Sequence, residues 1–237
     1  MMIPTKDAYD ELDRAYAHFN AELFNGQLPP CLITLQREKK TYGYFSAERF
    51  FNQGDKTTTD EIALNPAYFG IIPLKEVMQT VVHEMVHLWQ HHFSKPGRRR
   101  YHNREWGDKM KAVGLMPSDT GKPGGKQTGE RMADYPIEGG AFEQALEKLL
   151  ATSFKITWAD QRPGRHVPAE LLQAALEGAV DGVDPENIQA PELTEPSPSK
   201  QTRAKYSCAC EPKINVWAKP GLHLVCGECS QRFQEVE

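Results

Sequence analysis

The chain has 237 residues, of which 39% are hydrophobic and 25% are charged, and its formal net charge is −4. This length can bury one substantial core and leaves room for a small second module. The slightly acidic balance excludes a general electrostatic drive toward nucleic acid. No apolar run reaches the roughly 20 residues of a membrane-spanning helix, and the N-terminus lacks an apolar signal segment. We therefore expect a cytoplasmic protein with no membrane partner.

The first third of the chain predicts one long helix followed by short strands. Apolar residues recur at helical spacing over residues 5–25, and an Asn-Gly pair supplies the stop signal. Short runs rich in β-branched and aromatic residues at 32–35, 43–45 and 61–64 predict strands of one small sheet.

A second long helix is predicted over residues 74–92, where apolar residues form a single stripe. At about 100° per residue, His83 and His87 lie on the side away from the centre of that stripe, and Glu84 lies on the same general side. The helix is therefore expected to pack by one face and to present two imidazoles and a carboxylate on the other.

The remainder of the chain predicts shorter elements. Further helices are expected over 103–113, 141–150 and 171–180, whereas the Gly- and Pro-rich segment 117–129 indicates a mobile loop. From 181 to 204 the composition becomes acidic and proline-rich, which is typical of an extended linker.

Residues 83–87 read His-Glu-Met-Val-His, an H-E-x-x-H arrangement on the second long helix. The spacing places His83 and His87 on one helix face, where both can bind a single tetrahedral metal. Glu84 cannot easily share that metal, but it can reach a water bound there and serve as general base. The simpler alternative is a pair of exposed histidines with no metal. The position of the motif within a strongly amphipathic helix favours the metal site.

A catalytic zinc needs a third protein ligand and an open position for water. His102 is the preferred candidate, because a short turn lets the next helix fold back and bring its N-terminal end toward the metal face. Glu105 or Glu143 would instead give a thermolysin-like site. His91 and His92 also compete. We expect His91 to project toward the catalytic carboxylate as a supporting group, and His92 to fall on the apolar side.

Four of the five cysteines crowd into the last 30 residues as C-x-C, a gap of fifteen residues and C-x-x-C: Cys208, Cys210, Cys226 and Cys229. Two close pairs separated by a loop are what a four-thiolate structural zinc site needs. Between the pairs, residues 214–217 and 222–225 predict a β-hairpin, and so short a segment needs a metal to fold. The fifth cysteine, Cys31, is predicted to be a buried and inert thiol.

At these positions the sequence resembles the SprT-like zinc metalloproteases, the family of Spartan-related DNA-repair proteases. The resemblance covers most of the chain and is strongest at the H-E-x-x-H helix, residues 83–89. The family's third ligand is a His usually followed by Gly and soon by an aromatic residue. Here His102 matches, with Asn103 at the usual Gly and Trp106 as the aromatic residue. The C-terminal cysteines resemble the zinc ribbon of many members, and other matching segments are 23–29, 43–45 and 62–66.

The resemblance implies an α+β fold. We expect a zincin-like metalloprotease domain in residues 1–180, with a small mixed sheet packed on helices around the H-E-x-x-H active-site helix. The linker is expected over 181–204, and a small four-cysteine β zinc ribbon over 205–237.

The activity implied by the resemblance is zinc-dependent hydrolysis of peptide bonds by an endopeptidase. One catalytic zinc would be held by His83, His87 and His102, and one structural zinc by the four cysteines. The catalytic zinc lowers the pKa of its water toward about 7. Glu84 takes the proton as general base and later delivers it to the leaving amine.

Zincins commonly bind substrate along an edge strand, and the candidate strands here hold Tyr44 and the pair Ile62-Ala63. The family implies protein substrates that are associated with DNA. The competing interpretation is a zinc-stabilised nucleic-acid-binding or adaptor protein with a vestigial protease site, which the near-neutral ribbon does not favour. Glu84 discriminates between the two, since a binding protein needs no carboxylate beside a metal-bound water.

Overall fold

The computed structural model describes residues 3–38, 41–98, 101–163, 167–189 and 203–236. The chain is a mixed α+β protein that divides into two compact units, Met1–Pro191 and Glu192–Glu237. None of the described helices is long and apolar enough to span a membrane.

Five of the six described helices of the first unit lie close to predicted ones; the short helix at 66–69 is not predicted, and the last helix ends four residues earlier than expected. The six helices are α1 (Pro4–Phe24), α2 (Pro66–Phe69), α3 (Leu74–Phe93), α4 (Arg104–Ala112), α5 (Ala141–Leu150) and α6 (Ala169–Leu176). The first begins at a proline, whose fixed φ suits the start of a helix. It ends before Asn25, which adopts the left-handed conformation with φ of 55°. The prediction of a stop at the Asn-Gly pair is therefore confirmed.

Two small sheets accompany these helices. Their strands are β1 (Leu32–Leu35), β2 (Gly43–Phe51), β3 (Thr58–Leu64), β4 (Leu115–Ser118) and β5 (Ala133–Pro136). The first sheet has the order β1-β3-β2, with β3 parallel to β1 and antiparallel to β2. Strand β3 is therefore central, and β2 has a free edge within the described chain. The β4–β5 pair lies where the sequence predicts no strands, because each of these strands contains a proline and neither contains a β-branched residue.

Strand β2 is longer than predicted and contains an irregularity between Ser46 and Phe50. Within it, Glu48 has a φ of 49°, and its backbone N–H donates to Asp60 Oδ1 at 2.7 Å. Asp60 lies in β3 and is only 4% exposed. A buried carboxylate therefore stabilises a backbone conformation that costs free energy for a residue with a Cβ.

Helix α3 contacts β2, β3 and four of the other helices of the first unit, α1, α2, α4 and α5. The centre of its apolar stripe, including Met78 and Val82, is fully buried, whereas Leu74 and Trp89 near its ends are partly buried. Val86 and Gln90 lie outside that stripe but are buried as well, so the helix packs on more than the one predicted face. This burial extends to Glu84, which is 6% exposed.

The described start of the predicted linker packs on the first unit. Val183 and Ile188 contact its core, and the Gln189 N–H donates to the Gln161 carbonyl at 2.9 Å. The linker therefore begins later than position 181, because two apolar side chains among the acidic ones suffice to dock the segment. Residues 190–202 of the predicted linker lie outside the described residues.

The second unit contains one antiparallel sheet with the order β7-β6-β8. Its strands are β6 (Ala204–Ser207), β7 (Asn215–Ala218) and β8 (Gln234–Val236). Strand β7 pairs with β6 and not with residues 222–225, whose described backbone forms one isolated bridge, from Val225 to Arg232. The second half of the predicted hairpin is therefore wrong. The buried side chains of Tyr206 and Phe233 pack with two of the cysteines.

Candidate metal centres

Helix α3 and the start of α4 bring three imidazoles together. His83 and His87 are one helical turn apart, and their ring centroids are separated by 5.1 Å. The ring of His102 lies 5.7 Å from that of His83 and 4.8 Å from that of His87. The structure thus gathers the three imidazoles that the sequence predicts at one site.

Asn103 holds the connection between α3 and α4 in place beside His102. Its side chain accepts from the Trp106 N–H at 3.0 Å, which caps α4, and from the Gln90 amide of α3 at 2.8 Å. Its own amide donates to the Lys95 carbonyl at 3.1 Å. The residue that replaces the usual glycine therefore links both helices.

The spacing of the ring nitrogens suits a metal ion. Nε2 of His87 and Nε2 of His102 are 3.1 Å apart, and one ring nitrogen from each of the three histidines lies within 4.8 Å of the others. Metal–nitrogen bonds of about 2.0–2.1 Å place two nitrogens of a tetrahedral site roughly 3.3 Å apart. The three imidazoles therefore form a possible metal-binding site, with a fourth coordination position left for another ligand.

Two of these imidazoles have their other ring nitrogen engaged. Nδ1–H of His83 donates to Asp134 Oδ2 at 2.8 Å, and Nδ1–H of His102 donates to the Gly129 carbonyl at 3.1 Å. Such partners fix the tautomer and leave Nε2 free to bind a metal. Sequence analysis misses Asp134, which lies in β5, 51 residues from His83, and carries no local signal.

Trp106 packs beneath the imidazoles and is fully buried. Its ring centroid lies 5.3 Å from that of His87, with an angle of 24° between the planes, and 4.4 Å from that of His102. The indole Nε1 has no hydrogen-bond partner among the described groups. Contact with this flat, rigid surface restricts the rotation of the two rings.

Glu84 lies next to His83 on α3, and burial raises the pKa of its carboxyl to about 7. The His83 charge lowers this pKa, Asp134 raises it, and a hydrogen bond from the Phe45 backbone lowers it. A carboxyl with a pKa near neutrality can both accept and deliver a proton at ordinary cellular pH. The site therefore contains a group suited to general acid–base chemistry.

The surroundings also set the charge of the imidazoles. Burial, with repulsion from His83 and His102, lowers the pKa of His87 well below its usual value, and burial lowers the pKa of His102 to about 4. Both rings are therefore neutral at pH 7, as metal binding requires. Burial also opposes the charged form of His83, but the Asp134 hydrogen bond and the Glu84 charge outweigh it and raise its pKa.

The acidic candidates for the third ligand are engaged elsewhere. Glu105 accepts from the Lys95 backbone N–H at 3.4 Å, and Glu143 forms an ion pair with Lys75. Neither belongs to a described group of metal-ligating side chains. The described residues therefore do not form a thermolysin-like set of two histidines and one glutamate.

The other two histidines of α3, His91 and His92, group with Asp60 instead of the three imidazoles. The expected place of His92 on the apolar side is wrong, because its side chain is 35% exposed and Nε2 lies 2.6 Å from Asp60 Oδ2.

Among the residues predicted to line a substrate strand, Tyr44 alone lies on an edge strand, β2. Ile62 and Ala63 are 1% and 0% exposed, and β3 is paired with β1 on one side and β2 on the other. The expectation of a free edge at these two residues is corrected, because the parallel partner β1 occupies it.

The second unit gathers all four predicted cysteines: Cys208, Cys210, Cys226 and Cys229, with sulfurs within 4.8 Å of one another. The sulfurs of Cys210 and Cys226 are 3.7 Å apart. Zinc–sulfur bonds of about 2.3 Å imply a separation of roughly 3.8 Å in a tetrahedral site. The four thiols therefore form a second possible metal site. Cys31 lies in the first unit, and burial raises the pKa of its thiol to about 12.

An α+β unit with clustered imidazoles beside a buried carboxyl defines the chain as a possible metalloprotein. Comparison with known families matches residues 12–123 to the SprT-like family. A Salmonella typhimurium protein described as "Uncharacterized protein in mucB 3'region" is 60% identical over 60 residues, which are 25% of this chain and 81% of that protein. No solved structure matches the chain significantly. The chain belongs to the SprT-like family.

Proposed function

We propose that the protein is a zinc-dependent endopeptidase with a zincin-like catalytic unit. The observation that carries this proposal is the buried carboxyl of Glu84, which lies on the helix that supplies two of the three clustered imidazoles. Membership of the SprT-like family, which is generally linked to metalloprotease-like function, supports the same conclusion.

The ligand chemistry fits zinc. His83, His87 and His102 would hold the catalytic ion through neutral imidazole nitrogens, a set of three that leaves one position open. When bound, the zinc ion supplies Lewis acidity, which acidifies water and polarises a substrate carbonyl.

The proton transfers fall to Glu84. Its carboxylate accepts the proton of the attacking water, and its carboxyl then donates that proton to the nitrogen of the departing amine. Burial excludes bulk water from the carboxyl and raises its pKa to about 7, which suits both steps. A protein that only bound metal or nucleic acid would have no use for this buried group, so its presence disfavours the adaptor interpretation.

Strand β2 is the proposed platform for substrate. The backbone of Tyr44 bonds inward to β3, so the backbone groups of Gly43 and Phe45 point toward the free edge. The Phe45 backbone is close enough to Glu84 to lower the pKa of its carboxyl, which supports a substrate path along this edge. An extended peptide added to β2 would therefore pass next to Glu84.

The four cysteines of the second unit would hold a structural zinc. Four thiolates close the coordination shell, so this ion has no open position and contributes to folding of the small unit. We propose DNA-associated proteins as substrates, which rests on the family resemblance and not on a described contact.

The test replaces Glu84 by Gln, which keeps shape and removes the proton acceptor. We expect cleavage of unfolded casein to fall at least ~100-fold, the usual contribution of a general base, with zinc content unchanged. Wild-type proteolysis by the variant would refute the mechanism, and loss of zinc would reassign Glu84 as structural.

Glu76→Gln is the matched control, because Glu76 is an exposed carboxylate two turns earlier on α3. It should retain both zinc and activity. Parallel assays on a histone, with and without single-stranded or duplex DNA, test the substrate class. DNA-independent cleavage of both proteins at equal rates would remove support for DNA-associated substrates.

A further inference from the structure

The C-terminal end of α3 carries another cluster of possible metal ligands. Asp60 of β3, His91 and His92 each place one ligand atom within 4.8 Å of the other two. We propose that this cluster is an accessory divalent-cation site for ions that accept imidazole and carboxylate ligands, such as Zn²⁺. It shares no residue with the three-imidazole or four-cysteine sites, and the proposed peptidase chemistry does not require it.

Asp60 is the buried anchor of this accessory site. Its Oδ1 is held by the Glu48 backbone N–H at 2.7 Å, which fixes the orientation of the carboxylate. Its Oδ2 faces His92 Nε2 at 2.6 Å. A buried carboxylate needs a compensating charge, and its one described ion-pair partner is His92. A divalent cation bound by Asp60 and the two histidines would supply that charge directly.

The two histidines lie on the solvent side of the cluster. The His92 side chain is 35% exposed, His91 is half-buried, and their ring centroids are 4.9 Å apart. An ion can therefore reach the site without unfolding of the core. Both residues also lie in the last turn of α3, where the helix dipole favours positive charge.

A simple hydrogen-bonded pair of Asp60 and His92 is the competing explanation. That pair accounts for the 2.6 Å contact between Asp60 and His92. It does not account for His91, which also has a ligand atom within 4.8 Å of the other two. A metal would use all three side chains in one tetrahedral or octahedral arrangement, with water completing the coordination.

The expected affinity is lower than at the other two sites. Three protein ligands on an exposed helix end hold an ion less firmly than four thiolates, and the Asp60–His92 hydrogen bond must open first. We therefore expect the accessory site to fill only when free zinc is raised into the micromolar range.

The test measures bound zinc on the full chain after equilibrium dialysis at low and at raised free zinc. Wild type should gain one further zinc per chain at the higher concentration. His91→Ala and His92→Ala should each lose this gain while keeping the zinc bound at low concentration. Asp60→Asn should lose it as well, because the amide can still accept from the Glu48 N–H but carries no charge.

His223→Ala is the control for adventitious binding, since His223 is an exposed histidine outside every described ligand cluster. His223→Ala should gain zinc as wild type does. Raised zinc should increase the Tm of wild type and of His223→Ala, but not the Tm of His92→Ala. An equal gain in wild type, His91→Ala and His92→Ala would overturn the proposal, as would no gain in wild type. The comparison stays valid whether or not the protein is a peptidase, because no readout uses activity.

Discussion

Asp134 offers the sharpest test of how the three-imidazole site is built. Its Oδ2 accepts from His83 Nδ1–H at 2.8 Å, and its side chain is 5% exposed, so water cannot replace the contact. Removal of such a carboxylate partner typically costs 10–100-fold in metal affinity. We expect Asp134→Asn to lower zinc affinity about 10-fold, or about 1.4 kcal/mol, because the amide oxygen still accepts the hydrogen bond. Asp134→Ala removes the acceptor entirely and should approach ~100-fold.

The pH dependence of zinc affinity separates two effects of Asp134, which orients the His83 ring and also stabilises its positive charge. Burial opposes protonation of His83, but Asp134 and the Glu84 charge together outweigh it and raise the pKa of His83, so protons compete with the metal from a higher pH in wild type. In Asp134→Asn the pKa of His83 should fall. The affinity advantage of wild type should therefore be largest above the raised pKa of His83 and should shrink as the pH falls through it.

Competition against a chromophoric chelator at several pH values measures both effects. Glu138→Gln is the control, because Glu138 is exposed and lies four residues further along the chain. Circular dichroism verifies that each variant is folded. Unchanged zinc affinity in both Asp134→Asn and Asp134→Ala would refute the assigned role, and a pH-independent affinity ratio would refute the electrostatic part of it.

His102→Ala should lower zinc affinity at the three-imidazole site at least 10-fold, because two protein ligands remain; full occupancy and activity would require another ligand. Cys226→Ser should reduce tightly bound zinc from two ions per chain to one by metal analysis, and an unchanged count would contradict the four-thiolate site. A fragment that ends within 190–202 should remain soluble and bind one zinc by metal analysis, and aggregation with loss of zinc would contradict this prediction. Gly43→Ala should lower the free energy of unfolding by about 1–3 kcal/mol, since the added Cβ would lie 2.8 Å from a β3 carbonyl oxygen. Gly70→Ala should leave the free energy of unfolding unchanged, because its added Cβ has its nearest contact at 3.4 Å.

The parts of the site that sequence analysis predicts are those encoded by local spacing. His83, Glu84 and His87 lie within two turns of α3, and helical periodicity is enough to place them on one side. His102 required only a short turn and the return of the next helix. The four cysteines were likewise recognisable because close pairs of thiols have few other uses.

The parts that sequence analysis misses depend on contacts between distant segments. Asp134 reaches His83 only because β4 and β5 pair, and neither strand contains the β-branched residues that would predict it. Ile62 and Ala63 look like edge residues until β1 pairs in parallel along β3, a choice that no local pattern specifies. His92 appears apolar-facing on a helical projection, but a buried carboxylate from another element turns that position polar.

The short regular edge of β2 restricts what the protein could process. Before the irregularity after Ser46, the strand keeps regular register only over residues 43–46. Four residues at about 3.4 Å each span roughly 14 Å, enough for a few backbone hydrogen bonds and little side-chain discrimination. A polypeptide already committed to a helix or an intact sheet has no free backbone to offer such an edge. If β2 is the substrate platform proposed above, selection would act on the conformational state of a target more than on its sequence, and unfolded segments would be cut in preference to folded ones.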